Sequence, residues 1–338
     1  MNEDVYAVFC QMCGIPDPKT FCPASEIPCQ EFSDPERLCA RPLVSVFMTT
    51  FNHARWIRQA IEGVLCQKTD FEYELVIGDD ASTDGTFEIC REYQRRYPDR
   101  VRVLWSPENQ YATDGNERRI RHRCRGTYLA SCEGDDYWTD PNKLQQQMDL
   151  IRRHGAVGCV AFNHWERPDG SKTLHGGKVV PFVDWRTLCR QYYHTSTFVY
   201  RRDLFGRYPE MRRWYDSSVL FVMATTGRVC LLPKSVSVYR MTGEGTWTGL
   251  SNCRQLLMNL GLYLDLYTHG PRNVPGLRRH FAYTALYRLV RLAKRGDAEC
   301  EAFMARHRSE ARAIYRQILR EQPLLSRLLW HRLWFRSP

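Results

Sequence analysis

The chain has 338 residues, 43% of them hydrophobic, which suffices for one large domain with an appendage or for two modest domains. No stretch approaches the ~18 consecutive apolar residues that span a bilayer, and the opening MNEDVYAVFCQMCG has neither the basic start nor the long apolar run of a secretory signal. The net charge of +10 is confined to one end: residues 1–250 carry 32 Lys/Arg against 32 Asp/Glu, and residues 251–338 carry 16 against 6, so a neutral body bears a basic tail suited to an anionic surface.

Residues 1–41 are rich in Pro and Cys without a clear period and read as an irregular extension. Cys10-x-x-Cys13, with Cys22 and Cys29, lacks the paired spacing of a zinc site, so packing or plain disorder is expected in its place. The fourteen cysteines are scattered through predicted strands and helices, as small core residues in a reducing cytosol would be.

At Pro42 the pattern changes. Leu43 to Thr49 reads as a buried strand, and Asn52-His53 turns the chain into a helix with Ile57, Ile61, Val64 and Leu65 on one face. Glu74 to Gly78 is a second strand, closed by Asp79-Asp80-Ala81-Ser82-Thr83-Asp84-Gly85. A helix, a strand at Val101–Leu104 and a helix over about 116–124 follow. The run Thr127 to Cys132 is a further strand, broken at Gly134 among Glu133, Asp135 and Asp136. Strands alternating with helices predict a parallel sheet with helices on both faces, whose ligands bind beyond the carboxyl ends of the strands. Three carboxylates so close repel one another unless a cation sits between them, and a hard divalent ion still holding waters or phosphates would resolve the conflict. The competing reading is a solvated acidic turn.

From 140 to 250 the pattern loosens into a helix at 140–153, a strand at Val157–Phe162, a Gly-rich turn region, a strand at Ser196–Tyr200, a helix near 216–226 and short strands at Arg228–Leu232 and Ser235–Tyr239. Residues 251–319 read as helical. The segment Leu324–Phe335 interleaves Leu and Trp with Arg, which suits either a helix lying on an anionic membrane face or one packed on the body.

PLVSVFMTTFNHARWIRQAIEGVLCQ, ELVIGDDASTDGT and GTYLASCEGDDYWTDPNKLQQQMDL together resemble the family 2 glycosyltransferases of the GT-A fold, and the resemblance runs over roughly residues 42–250. It implies three parts: an extension over 1–41, a GT-A domain with a mostly parallel sheet over 42–250, and a basic helical region over 251–338. It further implies inverting transfer of a sugar from a nucleotide-diphosphate donor to an acceptor hydroxyl on a glycan or lipid-linked molecule, with Mg2+ or Mn2+ as cofactor. The pathway expected is cell-surface polysaccharide or lipopolysaccharide assembly, carried out in the cytoplasm or at the inner membrane face.

Residue by residue, the resemblance gives donor contacts to Thr49, Thr50, Phe51, Asn52, Asp79 and Asp80 near the base and ribose. Asn116, Arg119 and Glu133 are assigned near the donor, although a solvated helix face is the alternative for Arg119 and helix capping for Asp80. Asp135 and Asp136 match the metal-binding pair, and Arg240 the guanidinium that reaches the diphosphate. Thr242 stands where the family motif has a His. Trp247, in a Gly-rich loop, is expected to close over the donor. Asp216 matches the base that takes the acceptor proton, with helix N-capping as its alternative.

Two other functions compete. Nucleotidyl transfer could use a similar sheet, but no Gly/Arg/Lys-rich triphosphate loop is present. A non-catalytic protein could bind anionic surfaces through the tail; nucleic acid is not the expected partner, because no finger or reader motif is present.

Overall fold

The computed structural model describes residues 4–16, 20–111, 115–208, 211, 215–243 and 249–325. In chain order the first elements are α1 (Val5–Cys13), β1 (Gln30–Phe32), β2 (Val44–Thr50), α2 (Ile57–Leu65), β3 (Tyr73–Asp79), α3 (Thr86–Arg96), β4 (Val101–Trp105), α4 (Gly115–Arg123), β5 (Tyr128–Ser131) and β6 (Tyr137–Trp138). There follow α5 (Lys143–His154), β7 (Gly158–Glu166), β8 (Lys172–His175), α6 (Trp185–Leu188), β9 (Val199–Arg201), α7 (Asp216–Thr226), β10 (Val229–Arg240), α8 (Asn252–His269), α9 (Leu277–Lys294), α10 (Ala298–Arg306) and α11 (Arg308–Glu321).

These form two compact units. One comprises residues 22–207 and 223–242, the other residues 1–21, 208–222 and 243–338. The first is built on a sheet of order β1-β4-β3-β2-β5-β9-β7-β10-β6, with β8 paired to β7. Strands β4, β3, β2 and β5 run parallel, and their apolar runs are buried on both faces, as central parallel strands require. Helix α2 buries Ile57, Ala60, Ile61 and Val64 in the core that Val44, Val46, Met48, Leu75 and Ile77 also line.

The sheet is mostly parallel, as expected, with β2, β3, β4 and β5 parallel and β7 parallel to β10, and antiparallel strands are added to it. Strand β9 enters antiparallel to both β5 and β7, and β8 folds back on β7 through a turn at Gly170, whose φ of 81° suits glycine. The two short strands expected at 228–239 are one strand, β10, whose pairing with β7 shifts register near Ser235.

The N-terminal segment departs from the irregular extension expected of it. Helix α1 is capped by Asp4, which accepts from the Tyr6 and Ala7 amides, and ends at Gly14 with φ 62°. It buries Val5, Tyr6, Phe9, Cys10 and Met12, and a Cβ placed on Gly261 of α8 would lie 2.6 Å from the Phe9 ring. The residues up to 21 therefore belong with the helices of the second unit, and β1 adds an antiparallel edge strand to β4 in the first. Asp4 and Asp265 flank the buried His269, at 3.2 and 2.7 Å, and tie α1 to α8.

No disulfide joins the cysteines, and no described helix is long and apolar enough to cross a membrane. The tail segment Leu324–Phe335 lies outside the described residues from 326 onward.

Candidate active site

Strand β2 ends in two threonines whose carbonyls hold both acidic loops. The Thr50 carbonyl accepts the Asp80 N–H at 3.0 Å, and the Thr49 carbonyl accepts the Gly134 N–H at 2.9 Å. The loops that follow β2 and β3 are also laced to each other. Asn52 and Ala81 both adopt left-handed backbone, at φ 55° and 66°. The Asn52 amide donates to Ser82 Oγ at 2.9 Å, and Asn52 Oδ1 accepts the Thr83 N–H at 2.8 Å. A left-handed alanine costs about 1–2 kcal/mol, offset here by these bonds. Phe51, directly after β2, is 45% exposed, a flat apolar face at the strand end.

Asp79 and Asp80 are buried, and that burial raises both carboxyls above their usual range; nearby Arg119 acts the other way. Asp79 Oδ1 accepts the Ser82 N–H at 3.1 Å, and Oδ2 makes no hydrogen bond. Both Asp80 oxygens accept the Gln110 N–H at 3.0 Å. Beneath them Arg119 is fully buried. One of its nitrogens donates to the Asp79 carbonyl at 2.7 Å and to Asn116 Oδ1 at 2.8 Å, while Asn116 Nδ2 donates to the Gly78 carbonyl at 2.9 Å. Arg119 Nε and Nη1 make no hydrogen bond, so a buried cation with two open donors sits below the paired aspartates.

The Glu133–Asp136 turn is held as tightly. Its own Asp136 N–H donates to the Glu133 carbonyl at 3.1 Å. Gly134 has no room for a side chain: a Cβ there would lie 2.7 Å from Thr50 Oγ1, 2.8 Å from His53 Nδ1 and 2.9 Å from Ile57 Cδ1. Asp136 is 1% exposed, with Oδ1 accepting the Arg240 N–H at 3.0 Å and Oδ2 making no hydrogen bond. Burial, then the charges of Asp135 and Glu133, push its carboxyl well above the usual range. Asp135 is more open, with Oδ2 3.9 Å from His53 Nε2.

Arg240, at the end of β10, grips this turn from outside. Its Nη1 donates to the Asp135 carbonyl at 2.7 Å, its Nη2 bonds Gln59 of α2, and its guanidinium lies 4.4 Å over the Tyr137 ring. Glu166 stands 3.9 Å from Nε and accepts from the Tyr137 hydroxyl at 3.0 Å. On the inner side, His194 Nδ1 is 3.7 Å from Asp136 Oδ2 and bonds Ser196 Oγ, which reaches Ser237 Oγ at 2.9 Å. Burial lowers His194 to about 3, so its ring is neutral.

Thr49, Thr50, Phe51, Asn52, Asp79, Asp80, Asn116, Arg119, Glu133, Asp135, Asp136 and Arg240 thus all lie in the sheet unit. The hydrogen bonds above connect the strand ends, the acidic turn and Arg240. Asp216 opens α7 among the residues of the helical unit, and Trp247 lies outside the described residues. His53, Gln59, Glu166 and His194 were not singled out from sequence. The available signal was position: His53 ends the first strand motif, and His194 opens HTSTFVYRRDLF.

Among the described residues, no group of three His, Cys, Asp or Glu side chains is arranged to hold a metal ion. Asp135 and Asp136 instead offer two carboxylates, one with a buried oxygen that makes no hydrogen bond. That set fits a hard cation whose remaining positions are taken by water and phosphate oxygens.

A parallel α/β block with paired carboxylates, a buried arginine and a second arginine at its carboxyl edge has these groups where sheets of this kind bind their ligands. Residues 45–212 match the family model described as glycosyl transferase family 2, and over this span the chain belongs to that family. An uncharacterized protein of Mycobacterium tuberculosis is 35% identical over 215 residues, 60% of each chain. The Bacillus subtilis protein TuaG, named as a teichuronic acid biosynthesis glycosyltransferase, is 32% identical over 147 residues, 43% of this chain and 57% of its own. The chain therefore spans about 60% of the length of such relatives. Among solved structures, S. aureus TarS with UDP-GlcNAc superposes with a TM-score of 0.55 at 17% identity, covering 82% of this chain and 79% of that one. A mannosyltransferase from Pyrobaculum calidifontis, in complex with GDP-Man and Mn2+, gives 0.50 at 17% identity over the whole of both chains. The fold is GT-A.

Proposed function

We propose that this domain transfers a sugar from a nucleoside-diphosphate donor to an acceptor hydroxyl, with inversion and with Mg2+ or Mn2+ at Asp135 and Asp136. The observation that carries the reading is the pair of β2 carbonyls, Thr49 and Thr50, that fix both acidic loops at one sheet edge. Phe51 and Asp79–Asp80 there suit a nucleoside, whose flat base needs an apolar face and whose ribose needs acceptors. Arg240, with its planar fork beside Asp135, suits a diphosphate oxygen. The cation, when bound, supplies neutralisation of the charge that develops on the leaving diphosphate. Asp216 is assigned the base that takes the acceptor proton, since a single displacement with inversion needs one. The Mn2+ and the nucleotide sugars of the solved relatives support this donor class, and the name of TuaG supports an acceptor in surface polysaccharide assembly. A cytoplasmic enzyme held at the membrane face by its basic tail is consistent with that pathway; deletion of 322–338 should abolish partitioning to anionic liposomes.

The test is thermal stability with a panel of nucleoside diphosphates, with and without Mn2+. A ligand at a hundred times its dissociation constant stabilises by about 2.7 kcal/mol. One nucleotide should stabilise only with metal, and Asp136→Asn should lose the effect. A panel without effect on the wild type would remove the reading.

A further inference from the structure

The acidic turn holds its two aspartates differently. Asp136 is buried, with Oδ1 on the Arg240 N–H, whereas Arg240 bonds the carbonyl of Asp135 and leaves its carboxylate to another partner. His53 faces that carboxylate, with Nε2 3.9 Å from Asp135 Oδ2 and the two side chains 20% and 15% exposed.

The imidazole is boxed in. The His53 N–H donates to Thr86 Oγ1 at 2.8 Å, and its carbonyl accepts the Trp56 and Ile57 N–H groups, both at 2.8 Å, so the backbone is clamped where α2 begins. The ring meets Trp56 edge-on at 6.1 Å, and Nδ1 faces Gly134, where an added Cβ would lie 2.8 Å away.

Two roles are open to such a histidine: ligand to the cation through Nε2, or donor to the carboxylate that ligates it. The other ring nitrogen decides between them. A ligating imidazole carries its proton on the far nitrogen and donates it to a carboxylate, a carbonyl or water. His53 Nδ1 is shielded from solvent and makes no hydrogen bond, so a proton placed there would be an unmet buried donor. Thr50 Oγ1, a hydroxyl that also makes no hydrogen bond, crowds the same face of Gly134 at 2.7 Å and is a donor of the kind a bare Nδ1 accepts. The single proton of a neutral ring therefore belongs on Nε2, which then cannot ligate and points a donor at Asp135.

We propose that His53 is a positioning residue for the cation site: it donates from Nε2 to Asp135 Oδ2 and so leaves one oxygen of Asp135 for the metal. The assignment rests on the reading of Asp135 and Asp136 as cation ligands. At 3.9 Å the pair is about 1 Å from a charge-assisted hydrogen bond, a gap within reach of a side-chain rotation.

The test titrates Mn2+ in the presence of UDP or GDP, followed by the EPR signal of free Mn2+, on the wild type, His53→Gln and His53→Leu. The Gln amide returns an N–H close to where Nε2 stands, and Leu returns none. Leu should weaken Mn2+ binding about tenfold or more and Gln less than about threefold, with the metal-free melting temperatures of all three alike. Equal losses in Gln and Leu, or a fall in metal-free melting temperature that accounts for the loss in Leu, overturns the positioning role. Pulsed EPR of the bound Mn2+ should show no nitrogen coupling that His53→Gln removes; such a coupling would make the imidazole a direct ligand and overturn the donor assignment. If Mn2+ binds the wild type and the Leu variant alike, the role of His53 falls and the cation reading stands; if neither nucleotide brings Mn2+ to the wild type, both fall.

Discussion

Replacing Gly134 by alanine tests the packing of the acidic turn. The new methyl would meet Thr50 Oγ1, His53 Nδ1 and Ile57 Cδ1 at 2.7 to 2.9 Å. Each contact is roughly 1 Å inside the ~3.5–4.0 Å optimum for non-bonded atoms. None of the three neighbours can easily yield. Thr50 is β-branched and ends β2, Ile57 is fully buried at the start of α2, and the His53 ring packs on Trp56. Overpacking of this kind costs about 1–3 kcal/mol. Part of that strain is relieved if the turn moves, and the turn carries Glu133, Asp135 and Asp136. Urea unfolding should show a loss within that range, and the metal-dependent affinity for the stabilising nucleoside diphosphate should fall at least about tenfold. Gly206→Ala is the control, because no atom lies within 4 Å of its Cβ and its effect should stay within about 0.5 kcal/mol. Wild-type stability together with wild-type nucleotide affinity in Gly134→Ala would refute the reasoning.

Three further substitutions separate the parts of the fold. Glu74 is fully buried and takes charged hydrogen bonds from Arg102 and Arg125, with Ser45 Oγ at 2.6 Å, while Arg102 also pairs with Glu31 at 2.9 Å, so Glu74→Leu should cost about 1–3 kcal/mol in denaturant unfolding by leaving Ser45 Oγ and one side of Arg102 without their acceptor. Burial alone would lower His269, but its bonds to Asp265 and Asp4 outweigh that and raise it to about 9. Its charged form is therefore favoured by folding. The contribution, on the order of 3 kcal/mol, is complete below about pH 6.5 and is lost as pH rises through about 9. His269→Gln should remove that difference from unfolding curves taken at pH 6 and pH 10. Arg240→Lys keeps the backbone bond to Asp136 and loses the fork on Asp135 and Gln59, so nucleotide affinity should drop about tenfold with little change in melting temperature.

Much of the sheet unit was legible because β2, β3 and β5 are buried on both faces and so read as unbroken apolar runs, each ending in polar residues. What escaped the sequence depends on partners far along the chain. Helix α1 was hidden by the Pro and Cys around it, although Val5, Tyr6, Phe9 and Met12 form its buried face. The antiparallel entry of β9 is a matter of pairing, which a three-residue strand does not encode. Thr49 and Thr50 were assigned donor contacts, and the joining of the two acidic loops by their carbonyls was not legible, because any residue has a carbonyl. Likewise Asn52 and Asp80 spend hydrogen bonds on the Thr83 and Gln110 amides, which spacing alone does not reveal. His194 carries no sequence signal of its own, and only folding sets it 3.7 Å from Asp136.

The central claim is sugar transfer from a nucleotide donor, and its most direct test is product analysis. The protein is incubated with UDP- and GDP-sugars, Mn2+ and octyl glycosides as acceptors, and followed by proton NMR. One donor should release its nucleoside diphosphate and form a product of inverted anomeric configuration, and Asp136→Asn should abolish both. Retained configuration would contradict the single displacement assigned to Asp216, and the absence of any nucleotide release across the panel would contradict the account as a whole.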